Sequence, residues 1–130
     1  MTSKFELEGV MKTLREVVAG KEDFVYTTEH EECIYAEDDG SPSCVVGHVI
    51  ARLDPELLAK VAEGERFELE SGEIAYNSDT VSGLFNAYGL PKGSGVVLRA
   101  AQKMQDAGVT WGEALEAAEE SYKIAVKAND

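Results

Sequence analysis

Two histidines and two cysteines are all that the 130-residue chain contains, and they fall within nineteen residues: His30, Cys33, Cys44 and His48, spaced H-x2-C-x10-C-x3-H. Sulfur and imidazole donors grouped in this way are the set that a tetrahedral Zn²⁺ site uses. With all four bound the site is closed and structural, since a catalytic zinc keeps one position open. Cys44 and His48 are four apart on a predicted helix and so share a face. Cys44 falls in the first turn, where the helix dipole and free N–H groups favour a thiolate. Cys33 lies on a predicted strand that the eleven-residue step to Cys44 would fold back beside the helix start, and His30 would complete the set. The competing reading is packing, because small cysteines are among the most buried residue types. His48 would then end on solvent or on a carbonyl. A third reading makes Cys44 the nucleophile of a thiol hydrolase. Such enzymes bring their base to the nucleophile from elsewhere in the fold, and no histidine follows residue 48.

The same stretch carries charge of one sign. From Glu22 to Ala51 there are eight acids and no Lys or Arg. Six of the acids, Glu29, Glu31, Glu32, Glu37, Asp38 and Asp39, surround two predicted strands and a turn. A one-signed surface steers association with a basic partner and speeds encounter, so these six are the candidate binding residues. The bland reading of the same acids is a solvated loop. Over the whole chain, 25 acids against 12 Lys and Arg give a net charge of −13. That balance disfavours direct nucleic-acid binding, which needs a clustered basic face, and it disfavours anionic membrane as well. No run approaches the roughly 18–20 apolar residues of a membrane span, and the first residues have no apolar signal-peptide core. A cytoplasmic setting with reduced thiols is therefore expected.

The remaining motifs are weaker. Lys92-Gly93-Ser94-Gly95 leads into a helix but lacks the order of a phosphate loop, so a helix start is expected there. Asp38-Asp39-Gly40 lacks the spaced ligands of a calcium loop. Gln102, Gln105 and Asp106 cluster at a helix end and are expected to bond the turn before Trp111.

These residues need elements to hold them. An apolar fraction of 44% and a length that fits one domain predict a single globular unit over residues 1–130. Helical spacing predicts a helix over 4–19 that stops at Gly20. Residues 24–28 and 33–36 are aromatic and β-branched and are predicted to pair as strands. Ser43 is predicted to cap a helix from Cys44 to Leu53, and Asp54-Pro55 to open another that ends at Gly64. Residues 65–77 alternate enough to hold a short strand. Ser78 or Asp79 is predicted to cap a helix that ends at Gly89, and another runs from Ser94 to Ala107 with Gly108 as its stop. The box Thr110-x-x-Glu113 opens the last helix, which reaches about Lys127. The expected fold class is α+β: a helix-rich single domain with a small antiparallel sheet near the N-terminal third.

Two sets of residues carry a resemblance. One is Cys33-x-Tyr35 with Gly40-x-Pro42-Ser43-Cys44-x-Val46-Gly47-His48. The other is Leu98-x-x-Ala101-Gln102-x-x-Gln105-Asp106-x-Gly108-x-x-Trp111-x-x-Ala114. Over about residues 24–115 the chain resembles small proteins encoded by phages of actinobacteria and by some of their hosts. The resemblance implies a phage accessory protein acting inside a bacterial cell, and it implies neither an activity nor a ligand set. The expected function is thus non-catalytic binding of a host or phage macromolecule, with a basic protein as partner. The alternative is a metal- or thiol-centred protein or enzyme built on Cys33, Cys44 and His48, with Zn²⁺ as the cofactor such a set would hold.

Overall fold

A computed structural model describes residues 4–26, 34–37, 39–76 and 80–128. Among the described residues six helices make the fold: α1 (Leu7–Val18), α2 (Val45–Leu53), α3 (Pro55–Glu65), α4 (Val81–Ala87), α5 (Lys92–Asp106) and α6 (Trp111–Ala128). Two three-residue strands, β1 (Arg66–Glu68) and β2 (Ile74–Tyr76), form an antiparallel hairpin between α3 and α4, with Phe67 opposite Ala75. This hairpin is a peripheral appendage. The architecture is all-α.

The expected α+β class is therefore corrected, together with its sheet in the N-terminal third. Among the described residues, Val25 forms an isolated bridge to Thr110, and Ala36 forms another to Pro42. Residues 27–33 of the predicted strand pair lie outside the described set. Where the pair is described, its backbone groups are used to finish helices. The carbonyls of Glu22 and Phe24 accept the N–H groups of Gly112 (2.9 Å) and Trp111 (2.8 Å), which are free donors of the first turn of α6. The carbonyls of Ile34 and Tyr35 accept the N–H groups of Cys44 and Ser43 at the entrance to α2. The backbone groups of these segments are satisfied in this way without a ladder.

Helix positions follow the apolar periodicity closely, and the caps less so. Asp54 caps α3 as expected, its Oδ1 accepting the Leu57 N–H at 3.2 Å. Thr110 does the same for Glu113 at 3.2 Å, and Gly20 and Gly108 take positive φ just past α1 and α5. The cap of α2 is Cys44 and not Ser43. The cap of α4 is Thr80, while Ser78 and Asp79 lie outside the described residues. α3 continues one residue past Gly64, to Glu65.

All six helices contribute to one apolar core. Val10, Leu14 and Val18 of α1 meet Val45, Val46, Val49 and Ile50 of α2, with Leu84 and Phe85 of α4, Leu98 of α5 and Trp111 of α6 also buried. Phe5, just ahead of α1, sets its ring edge-on to Phe85 with centroids 5.8 Å apart, and its carbonyl accepts the buried Ser94 hydroxyl of α5. On the outside, Arg15 of α1 makes two hydrogen bonds to Glu119 of α6, at 3.0 and 2.6 Å. Those bonds hold the Glu119 carboxyl below its ordinary range. A partly exposed pair of this kind is worth about 0–1 kcal/mol, so the apolar contact does most of the holding between α1 and α6.

Gly47 sits where the 34–36 segment crosses α2. A Cβ at that position would lie 2.0 Å from the Tyr35 carbonyl oxygen, a backbone atom that is itself engaged by Ser43. Gly47→Ala raises helix propensity by about 1 kcal/mol, yet the clash is larger because neither backbone can yield alone. The variant is expected to lose more than about 2 kcal/mol of unfolding free energy in urea titrations. An unchanged midpoint would show that the crossing is looser than described.

Candidate functional site

The start of α2 is where the predicted chemistry is concentrated. Cys44 is fully buried with a free thiol, and its Sγ accepts the Gly47 N–H at 3.4 Å as the helix cap. The Val45 N–H donates to Gln105 Oε1 of α5 at 2.8 Å. With the Cys44 N–H bonded to the Ile34 carbonyl, three of the four donors that a helix start leaves open are filled by protein atoms. The sulfur faces its own helix inside the core. Cys44 stands just ahead of the helix, as its N-cap, and not in the first turn.

His48 is half-buried, its ring edge-on to Trp111 with centroids 5.4 Å apart. Burial lowers its pKa from the ordinary value, and the positive charges of Lys21 and Arg52 lower it further, so the imidazole is neutral near pH 7. Lys21 Nζ lies 5.9 Å from the Trp111 ring centroid, and the exposed Phe24 meets the same ring edge-on at 4.7 Å. His48 is therefore one wall of an aromatic group centred on Trp111. Of the four expected metal ligands, His30 and Cys33 lie outside the described residues. Among the described residues no three His, Cys, Asp or Glu side chains converge on one point.

Gln105 joins these parts. It is buried, and its Oε1 accepts from both the Val45 N–H and Trp111 Nε1–H (3.1 Å) while its Nε2 donates to Asp106 Oδ1. The 102–106 cluster was expected to bond the turn before Trp111; Gln105 instead bonds the Trp111 ring itself. Its bonding also extends further than expected, to the start of α2.

The acidic turn is built on this base. The Tyr35 and Ala36 N–H groups donate to the buried Glu65 carboxylate of α3, at 2.8 and 3.2 Å. From there the chain reverses, with the Glu37 N–H bonded to the Ser41 carbonyl at 2.7 Å and Gly40 at positive φ. Asp39 is exposed, and its Oδ1 accepts the Ser41 N–H (2.9 Å) and Oγ–H (2.6 Å). Glu37 is half-buried and accepts the Ser43 hydroxyl at 2.7 Å; that hydroxyl also meets Tyr26. Of the six candidate acids, Glu37 and Asp39 are thus placed on one tight turn. Glu29, Glu31, Glu32 and Asp38 lie outside the described residues. Sequence reasoning missed Glu65, because nothing in its neighbourhood distinguishes a clamping acid from a solvated one.

The chain matches no protein-family model, no curated protein and no solved structure.

The neutral His48 has a consequence for stability. Its folded pKa lies below the unfolded value, so as pH falls the unfolded chain takes up the proton first. The contribution is fully present above the ordinary value of about 6.5 and is lost as pH falls through the folded pKa. Between about pH 7.5 and about pH 5.5, the wild type is expected to lose more stability in urea than His48→Gln does, the shared carboxylate background cancelling. Equal losses would place the imidazole in water. Enclosure of Cys44 is read out by alkylation. Native protein is expected to label slowly with iodoacetamide at this position and rapidly in denaturant, scored by mass mapping; fast native labelling would contradict the buried cap.

Proposed function

We propose that this chain is a small acidic accessory protein of phage type that acts in the bacterial cytoplasm by binding a basic macromolecule, without catalysis of its own. The observation that carries this reading is the state of the 36–42 turn. Among its described residues, Asp39, Gly40 and Ser41 are presented to solvent and are held by hydrogen bonds within the turn. Its ends are joined by the Ala36–Pro42 bridge and its root is held by Glu65 and Gly47. A surface held in its bound shape loses little freedom on association, and a one-signed charge on it steers a partner of opposite sign.

The chemistry-bearing side chains support the non-catalytic part by their placement. Cys44 is inside the core and capped onto its own helix, and His48 leans on Trp111. Residues behind the phage resemblance, among them Gly47, Gln105 and Trp111, hold the fold together. The resemblance therefore contributes the biological setting and no active residue. Among the described residues no helix is long and apolar enough to cross a membrane.

Neutral isosteres separate charge from shape. Asp39→Asn keeps the oxygen that accepts from Ser41, and Glu37→Gln keeps the one that accepts from Ser43. Combined with Glu31→Gln and Glu32→Gln, they are expected to leave the circular dichroism spectrum unchanged. In parallel affinity captures from host cells, a basic protein retained by the wild type at low salt should be lost from the variant. Retention of the same protein by both would remove the turn as the interface.

A further inference from the structure

The longest acid-free stretch of this acidic chain includes nearly all of α5. From Thr80 to Gln105 there is no Asp or Glu, although the chain carries 25 of them. The inner face of α5 belongs to the core, with Ser94, Val97, Leu98 and Ala101 buried. Its outer face is Lys92, Val96, Arg99 and Lys103, all of them exposed. At about 3.6 residues per turn and about 1.5 Å of rise, these four fall within an arc of roughly 60° and along about 16.5 Å of axis. They form a single line on one helix, whatever the neighbouring helices present.

The line is charged, apolar at one place and not neutralised by its own chain. Val96 is its only apolar member and is 53% exposed. Among the described residues, Lys4, Arg15 and Lys123 are each in an ion pair, whereas Lys92, Arg99 and Lys103 are in none. Asp106, the next exposed residue on this side, ends the line and is engaged by Gln105 Nε2.

We propose that this line is a docking surface for an acidic amphipathic helix of another protein. Spacing and charge density select that occupant. An antiparallel helix with Glu at its first, fifth and twelfth positions and an apolar residue at its eighth has the same rise and arc. Each cation then meets one carboxylate, and Val96 meets an apolar side chain. Charge pairs placed in this way set register and partner choice, as they do along the flanks of a coiled coil. Duplex nucleic acid carries one charge per about 1.7 Å, so about ten phosphate charges would lie along a line of three cations. The surplus would meet a chain of net charge −13. A single strand is held by aromatic rings on which its bases stack, and the line has none. An anionic membrane is opposed by the same net charge and would gain one apolar side chain. One helix face is a small contact, so the encounter is a transient one.

The probe is a synthetic peptide of about four turns, held helical by a side-chain staple, with that pattern of Glu and Leu on an Ala and Gln background. It is titrated into the isotope-labelled full chain and followed by backbone amide chemical shifts. Saturable shifts centred on residues 92–103 are expected. The Kd should be at least roughly ten-fold below that of a peptide of the same composition with its Glu residues spread around the helix. Arg99→Gln/Lys103→Gln should raise the Kd of the patterned peptide roughly ten-fold or more. Both positions are exposed and neither is in an ion pair, so this variant should melt near the wild-type temperature. No saturation by about 1 mM, equal affinity for the two peptides, shifts centred elsewhere or an unchanged Kd in the variant overturns the proposal. Tighter binding of a single-stranded oligonucleotide at the same salt also overturns it, and assigns the line to a polyanion. None of the substitutions touches the acidic turn, so the result is independent of that reading.

Discussion

A single buried carbonyl oxygen joins the two halves of this protein. Gln105 Oε1 accepts from the first N–H of α2 and from the Trp111 indole at once. α2 supplies the centre of the apolar core, and Trp111 begins α6. Removal of that oxygen would leave two buried donors unsatisfied, each at about 1–3 kcal/mol, a large share of the 5–15 kcal/mol by which domains are usually stable. Gln105 lies in the last turn of α5, so this one oxygen ties the end of that helix to the starts of α2 and α6.

The irregular segments obey a related constraint. A protein of short helices has many helix ends, and each end leaves donors or acceptors that burial makes costly. Here the connecting chain answers them. Residues 22–25 close the start of α6, residues 34–36 close the start of α2, and Glu65 at the end of α3 holds the latter segment by two N–H groups. Gly47 and Gly112 allow the close crossings. A Cβ at either would come within 3.0 Å of a carbonyl oxygen of the crossing segment.

Charge is unevenly distributed over the surface. The acidic turn rises from the α2–α3 side on a rigid root, and α5 presents a line of cations. Near His48 and Trp111 the cations Lys21 and Arg52 stand on a chain that is otherwise strongly negative. Burial first, and that local positive field second, lower the His48 pKa, suiting the imidazole to lie against an aromatic ring.

Helix positions were legible in the residues alone, because a 3.6-residue apolar period survives any tertiary arrangement: Val10-Leu14-Val18 and Val45-Val49 are core in the structure as in the pattern. The stops at Gly20 and Gly108 and the caps at Asp54 and Thr110 were legible for the same reason, being local chemistry between residues a few positions apart. The crowding of His30, Cys33, Cys44 and His48 was legible as a pattern, but the use made of Cys44 was not. Whether a thiol binds a metal, reacts or caps a helix depends on what surrounds it. The segments at 24–26 and 34–36 show the same limit. Their composition pointed to two paired strands, whereas the tertiary structure buries 34–36, leaves Phe24 and Val25 exposed, and sends their hydrogen bonds to helix ends 8 to 87 residues away. Local propensity acts over a few residues, and a backbone N–H bonds whichever acceptor the assembled core brings within 3 Å or so.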